Sequence, residues 1–371
     1  MHRVIISEHL TSDLEQAVAR CGHDRLFVLT DDVTVDKCLP LISRCPCIGD
    51  AGIITVGSTD THKDMQSLAH VWKQLGDMGA TRHSCMINLG GGMVTDLGGF
   101  AASTFKRGIR FINIPTTLLS MVDASVGGKT GINFNGLKNE VGVFRDPEFV
   151  ILDTVFLRTL DAENMLSGYA EMLKHGLIST AEMWRELTVF DIAALTAADG
   201  GRADGAPCHD KASDATAAGL LTLQSMVAAS VAVKERVVTE DPHEQGLRKA
   251  LNLGHTIGHA FESFAMRQGR PVLHGYAVAY GIICELYLSC LKTGFPTDIM
   301  RRTVQFIRRN YGCMTITCDD YPALRELMTH DKKNTAGTIN FTLLGGIGDI
   351  RINQTATRNE IYEALDFYRE G

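Results

Sequence analysis

The sequence has no C-x-x-C pair among its ten cysteines, no block of basic residues, and no uncharged apolar run long enough to span a membrane. Each absence excludes something. Scattered cysteines, with only Cys45 and Cys47 in a C-x-C, argue against a disulfide framework or a zinc ribbon. They fit reduced, mostly buried thiols in a cytoplasmic protein. A net charge of −7 leaves no electrostatic footprint for nucleic acid. The opening "MHRVIISEHL" lacks the apolar core and small-residue cleavage site of a signal peptide. The most apolar stretch, "GYAVAYGIICELYLSCL", carries Glu285 and falls short of the roughly 20 residues a span requires. Internal repeats are also missing.

What is present reads as a soluble globular chain. Its 371 residues, 45% apolar and 21% charged, are enough for two domains with separate cores. In the first 150 residues short β-rich runs alternate with helical patterns. "RLFVLTDD", "GIITVG", "SCMINLGGG" and "IRFINIPTTLL" read as strands, with the amphipathic "KDMQSLAHVWKQLGDMG" between the second and third. That alternation predicts a parallel sheet with helical crossovers.

Past about residue 160 helical patterns dominate, among them "AENMLSGYAEMLKHGLIS", "TLQSMVAASVAVKERVVTED", "LNLGHTIGHAFESFAM" and "GYAVAYGIICELYLSCLKTG". Strand signals return only in "TINFTLLGGIGDIRIN". We expect an α/β domain over 1–158 and a mainly α-helical domain over 159–371, the change falling between Asp153 and Asp161. Residues 193–219, rich in Ala, Gly and Asp, are expected to form a flexible surface insertion.

Three features carry chemistry. First, Gly90, Gly91 and Gly92 follow a predicted strand and open a predicted helix, where backbone N–H groups favour an anion such as a pyrophosphate. Their spacing departs from G-x-G-x-x-G, so a tight strand-to-helix turn explains them equally well. Asp31 or Asp32, ending an earlier strand, has the place of a ribose-binding acid, or of an ordinary turn carboxylate.

Second, Lys or Arg stands beside Gly, Asn or His in "FKRGIRF", "GGKTGIN", "GLKNEVG", "EMLKHG", "AVKERV", "GLRKALN" and "HDKKN". Singly these are solvated charges; together they have the composition of a pocket for a small polyanion.

Third, His255 and His259 lie four apart in a helical run, about 40° apart around the axis at roughly 100° per residue. The glutamate of H-E-x-x-H is absent, Thr256 standing in its place. The pair fits two metal ligands, two core histidines, or one of each.

In sequence order, "GGGMVTDLGGFAASTFKRGIRFINIPTTLLSMVDASVGGKTGIN", "GYAEMLKHG", "LRKALNLGHTIGHAFE", "LHGYAVAYG" and "HDKKN" resemble the 3-dehydroquinate synthases, members of the sugar phosphate cyclases. The resemblance runs from about Ile54 to Gly348. It implies an N-terminal dinucleotide-binding domain, a C-terminal metal-binding domain, a cleft between them, and a homodimer.

By the resemblance the metal ligands are Glu171, His255 and His274, for zinc or for cobalt in its place. The NAD contacts are Asp60, Lys63, Gly91, Gly92, Met93, Asp96, Thr116, Thr117, Asp123 and Lys138. The residues touching substrate are Lys129, Asn139, Lys174, Lys234, Arg248, Asn252, His259 and Lys332, with Lys333 a rival to Lys332 and Arg107 reaching the partner subunit's site.

Thr59 and Asp60 replace the family's usual Gly and Glu. Tyr276 replaces a common Glu beside His274, and "NGLKN" reverses a Leu-Gly order. The acid at position 60 is kept but shortened by a methylene, and neither of the other two departures removes a named chemical group.

The implied reaction turns 3-deoxy-D-arabino-heptulosonate 7-phosphate into 3-dehydroquinate and phosphate, a carbon–oxygen lyase step of the shikimate route to aromatic amino acids. NAD takes a hydride and returns it, so no NADH accumulates. The competing expectations are a sister cyclase acting on sedoheptulose 7-phosphate and a metal-dependent polyol dehydrogenase. A non-catalytic binding protein on the same fold is a further alternative.

Overall fold

The computed structural model describes residues 4–135, 137–197, 211–329 and 338–371. Two compact units emerge, Met1–Asp161 with Asp204–Val231, and Ala162–Ala203 with Ala232–Gly371.

The first unit is built on a six-stranded sheet formed by β1 (Val4–Ile6), β2 (Leu26–Asp31), β3 (Gly52–Val56), β4 (Cys85–Gly90), β5 (Arg110–Pro115) and β8 (Phe149–Leu152). Its order is β1-β8-β5-β4-β2-β3 and every pairing is parallel. Strands β2, β4 and β8 are buried along their whole length, as their unbroken apolar character requires when helices cover both faces. Edge strand β3 alternates partly or fully exposed and buried positions instead. From β2 the chain moves to one edge and from β4 towards the other. This reversal places the topological switch at the carboxyl ends of β2 and β4, where such sheets bind ligands.

The helices of this unit include α1 (Leu10–Cys21), the short α2 (Thr34–Lys37) and α3 (Leu39–Ile42), α4 (Met65–Asp77) and α5 (Gly92–Thr104). Helix α4 begins where the side chain of Asp64 accepts the Ser67 N–H at 2.8 Å. Helix α5 lies so close to its neighbours that a Cβ on Gly98 would stand 2.1 Å from Asn88 Oδ1. One on Gly99 would stand 2.5 Å from Thr130 Cγ2. Glycine is what lets this helix seat against the sheet.

An antiparallel pair, β6 (Lys129–Phe134) and β7 (Leu137–Phe144), completes the described part of the unit. It was not expected from the sequence, because β7 is exposed over nearly its whole length and its Lys, Asn and Gly residues hide the strand period.

The second unit contains α6 (Ala162–Leu177), α7 (Ala181–Val189), α8 (Ile192–Ala197), α10 (His255–Arg267), α11 (His274–Thr293), α12 (Thr297–Tyr311), α13 (Tyr321–Thr329) and α14 (Arg358–Glu370), while the long α9 (Lys211–Glu240) begins in the first unit and ends in the second. The division at Val231 falls inside α9. The strands anticipated in "TINFTLLGGIGDIRIN" form one antiparallel hairpin, β9 (Asn340–Gly346) with β10 (Asp349–Thr355).

The core gathers Phe261, Ile282, Ile283, Leu324, Phe341, Leu343 and Leu365 among others. Helices α10 and α11 meet almost backbone to backbone. A Cβ on Gly281 would lie 1.9 Å from Gly254 O, and one on Gly258 would lie 2.9 Å from Ala277 O. This approach sets the histidines of α10 against the first residue of α11.

One expectation is corrected. The flexible insertion expected over 193–219 does not hold at its ends: 192–197 are helical, and α9 already starts at Lys211. Its "KASDATAAGLL" start combines small size with the high helix propensity of alanine, so the lack of large apolar residues did not mean a loop. Residues 198–210 lie outside the described residues. Asp31 takes the turn role left open for it. It is buried, and its Oδ1 accepts the Val33 and Thr34 N–H groups at 2.9 and 2.8 Å. Asp32 accepts the Ser58 N–H at 3.0 Å.

All nine described cysteines are free thiols, five of them buried. Among the described residues no helix is long and apolar enough to cross a membrane.

Candidate active site

In the first unit the glycine turn sits where the strand order reverses. β4 ends at Gly90, paired with Pro115 at the end of β5, and Gly91 precedes the first turn of α5. No side chain caps that turn, so its N–H groups face the switch point. A Cβ on Gly91 would stand 3.1 Å from Thr117 Cγ2, and one on Gly92 3.1 Å from the Ala124 Cβ. Met93 packs partly buried beside the turn. Thr116 is buried and its N–H donates to Gly90 O at 3.0 Å, while Thr117 Oγ1 accepts the Ser120 N–H at 3.2 Å. Asp123 lies in the single π-helical turn Ser120–Ala124 that follows.

Four of the proposed NAD residues form one charged cluster. Lys63 is buried with its Nζ 3.0 Å from Asp96 Oδ2 and 3.4 Å from Asp60 Oδ1. Lys138 Nζ lies 3.6 Å from Asp60 Oδ2. Asn133, which the sequence did not single out, donates to Asp60 Oδ2 at 3.2 Å and to its backbone carbonyl at 3.0 Å. The shortened acid at position 60 therefore still reaches its cations.

Burial of Asp60 pushes its pKa up, but Lys63, Lys138 and the Asn133 hydrogen bond outweigh that and hold it below 3.8. A depressed folded-state value adds stability above the unfolded pKa, lost as pH falls through the folded one. NMR titration should find Asp60 ionising below the usual carboxylate range, and Lys63→Met should move it upward. An unmoved value in Lys63→Met would contradict the pairing.

The other substrate residues expected from this unit stand on β6, on β7 and just after α5. Lys129 opens β6, Asn139 lies in β7 and its N–H donates to Asn133 Oδ1 at 2.9 Å, and Arg107 follows α5 at φ 68°. Lys332 and its rival Lys333 lie outside the described residues.

In the second unit the three expected metal ligands come together. Glu171 of α6 is fully buried. Its Oε1 lies 3.5 Å from His255 Nε2 and 3.7 Å from His274 Nε2, and accepts no hydrogen bond from the protein. The other oxygen, Oε2, pairs with the buried Nζ of Lys174, one turn along the same helix. Ligand atoms around a tetrahedral zinc, each about 2.1 Å from it, stand about 3.4 Å apart. The observed separations suit such an ion, and a buried carboxylate oxygen with no protein donor calls for a cation.

His259 is near as well. Its ring centroid is 5.3 Å from that of His255 and 5.8 Å from that of His274, and one ring nitrogen of each of the three lies within 4.8 Å of the others. Geometry brings the His255–His259 pair to one place without making their roles identical.

Further residues that the sequence did not flag support this group. The carboxylate of Glu285, fully buried in α11, accepts the N–H groups of Gly254, Thr256 and Ile257 at 2.6, 3.1 and 3.2 Å. It thereby fixes the first turn of α10, where His255 stands. Asp241 accepts the N–H groups of Gln245, Gly246 and Arg248 at 3.0, 2.7 and 3.0 Å. Those bonds and the Arg248 charge overcome desolvation and hold its pKa below the usual value. Arg248 is buried and its Nη1 donates to Pro242 O at 2.7 Å, and Asn252 Nδ2 donates to Glu244 Oε1 at 2.9 Å. Lys234 of α9 is buried too. Tyr276, the departure beside His274, packs its ring 5.2 Å from that of Tyr311 in the aromatic core.

Residues 53–167 match the model of the 3-dehydroquinate synthase N-terminal domain and residues 168–334 that of the C-terminal domain. The chain belongs to the 3-dehydroquinate synthase family. It is 52% identical to a 3-dehydroquinate synthase of Parabacteroides distasonis over 99% of this chain and 98% of that one. Against the Corynebacterium diphtheriae 3-dehydroquinate synthase it is 33% identical, covering 98% and 94% of the two chains. Among solved structures, ValA, the 2-epi-5-epi-valiolone synthase of Streptomyces hygroscopicus determined with NAD+ and Zn2+, superposes with a TM-score of 0.82 at 24% identity, covering 100% and 97%. A structure described as a probable glycerol dehydrogenase of Sinorhizobium meliloti gives 0.62 at 16% identity, covering 97% and 94%. These two share the fold. Family membership rests on the synthase relatives and the domain matches.

Proposed function

We propose that this chain is a 3-dehydroquinate synthase, using NAD and zinc, or cobalt in its place, to convert 3-deoxy-D-arabino-heptulosonate 7-phosphate to 3-dehydroquinate and phosphate. The observation that carries the metal-dependent reading is the buried Glu171 Oε1, facing two histidine nitrogens with no donor of its own. Glu171, His255 and His274 would hold the metal; with NAD it supplies polarisation of a substrate hydroxyl and a reversible hydride acceptor. Gly91, Gly92 and Met93 at the start of α5 would take the pyrophosphate, with Thr116, Thr117 and Asp123 from the neighbouring segments. The Asp60–Lys63–Asp96–Lys138 cluster would fix the adjoining part of NAD.

Lys174, paired with Glu171 Oε2 in a dry setting, would present a cation to substrate anions. Arg248, oriented by Asp241 and Pro242, would bind a carboxylate or phosphate, and so would Lys129, Lys234 and Lys332. Asn139 and Asn252 would hydrogen-bond substrate, and His259 would handle a proton at a substrate oxygen. The enzyme would act in the cytoplasm as a homodimer, with Arg107 reaching the partner's site.

A sister cyclase is the nearest rival, and the substrate carboxylate distinguishes the two. With NAD and zinc, phosphate release should favour the heptulosonate over sedoheptulose 7-phosphate by at least about a hundredfold in kcat/KM, because unmatched buried cations penalise the latter. Equal rates, or preference for the heptulose, would overturn the assignment.

A further inference from the structure

The two imidazoles nearest Glu171 are held differently. His255 is buried, and its Nδ1 lies 3.1 Å from the backbone carbonyl of Leu253. His274 is the more open of the two, its side chain 29% exposed against 10%, so packing restrains its ring less. Its Nδ1 instead meets a carboxylate, Glu262 Oε2, at 3.3 Å.

Glu262 belongs to α10, seven residues after His255 and three after His259. Positions i, i+4 and i+7 fall on one face of a helix, so the face that presents the two histidines also carries this acid. The side chain is only 11% exposed, an uncommon state for a glutamate and one that needs a charged or hydrogen-bonding partner.

We propose that Glu262 is a positioning residue for the metal site. It accepts the Nδ1–H of His274, fixing the tautomer whose bare Nε2 points toward Glu171 Oε1 and making that nitrogen a stronger donor. The inference rests on the metal reading above and extends it to a residue outside the ligand set. A carboxylate stands behind the exposed ligand, where a fixed ring is needed most. Behind the buried ligand stands a backbone carbonyl.

The test uses the full-length protein and Zn2+ alone, without NAD or substrate. Chelator competition should show the zinc dissociation constant of Glu262→Gln raised by about ten- to a hundredfold, with metal-free thermal unfolding little changed. Imidazole 15N shifts of the metal-free wild type, at a pH where His274 is neutral, should show its proton on Nδ1, and Glu262→Ala should return it to Nε2. A purely structural glutamate would not set that tautomer. An affinity for Glu262→Gln within about threefold of wild type, or a wild-type His274 protonated on Nε2, would overturn the proposal. A wild type that binds no zinc would instead overturn the metal reading, and the tautomer would still decide the role of Glu262.

Discussion

Replacing Glu171 with alanine is expected to abolish zinc binding and to lower kcat/KM by roughly a thousandfold or more. The change removes the buried oxygen that faces both histidines, and it strands the ammonium of Lys174 in a dry interior. Loss of metal polarisation removes several kcal/mol of transition-state stabilisation, each 1.4 kcal/mol being about tenfold in rate. His255→Ala and His274→Ala should behave alike, each deleting one of the two nitrogens within 3.7 Å of that oxygen. His259→Ala should lower turnover while the protein still takes up one zinc per chain, as measured by elemental analysis after gel filtration. Loss of metal in His259→Ala as complete as in Glu171→Ala would show that the four-residue spacing is a ligand pair after all.

The second large effect concerns stability. Glu285→Ala should destabilise the protein by about 3–5 kcal/mol, since three backbone N–H groups at the start of α10 would lose a charged acceptor in a site closed to water. Glu285→Gln, which keeps one acceptor oxygen and loses the charge, should cost less. Chemical denaturation of the metal-free forms checks both. A Glu285→Ala midpoint equal to wild type would mean that the first turn of α10 does not depend on this carboxylate.

Strands β2 to β5 were legible because each is a Val-, Ile- or Leu-bearing run bounded by turn residues, and burial on both faces keeps such runs apolar. β1, with three residues, was too short to stand out. The β6–β7 pair escaped because an exposed strand need not be apolar, and the helical start of α9 escaped because alanine reads equally as a linker.

At the site, residue types with one obvious chemistry were legible: glycines at a strand end, histidines at helical spacing, and lysines among apolar residues. Asp60, the acid of the charged cluster, was readable only through resemblance, and what holds it in place is Asn133, a contact across the fold that no local pattern announces.

Glu262 and Glu285 were not legible as functional, because a glutamate on a helix ordinarily marks the solvated face. Glu285 did leave a trace, being the lone acid in the most apolar stretch of the chain. An acid in such surroundings must find donors, and it finds them at the end of the neighbouring helix. Glu262 leaves less, since only the fold shows that the ring it meets belongs to His274.

The proposed enzyme cyclises its substrate by borrowing a hydride and giving it back. The direct test is a multiple-turnover assay on the zinc-loaded wild type with NAD far below the concentration of 3-deoxy-D-arabino-heptulosonate 7-phosphate. Phosphate and 3-dehydroquinate should form in equal amounts, well beyond the NAD supplied, with no net NADH. NADH accumulating without phosphate, or no turnover by folded, metal-loaded protein, would contradict it.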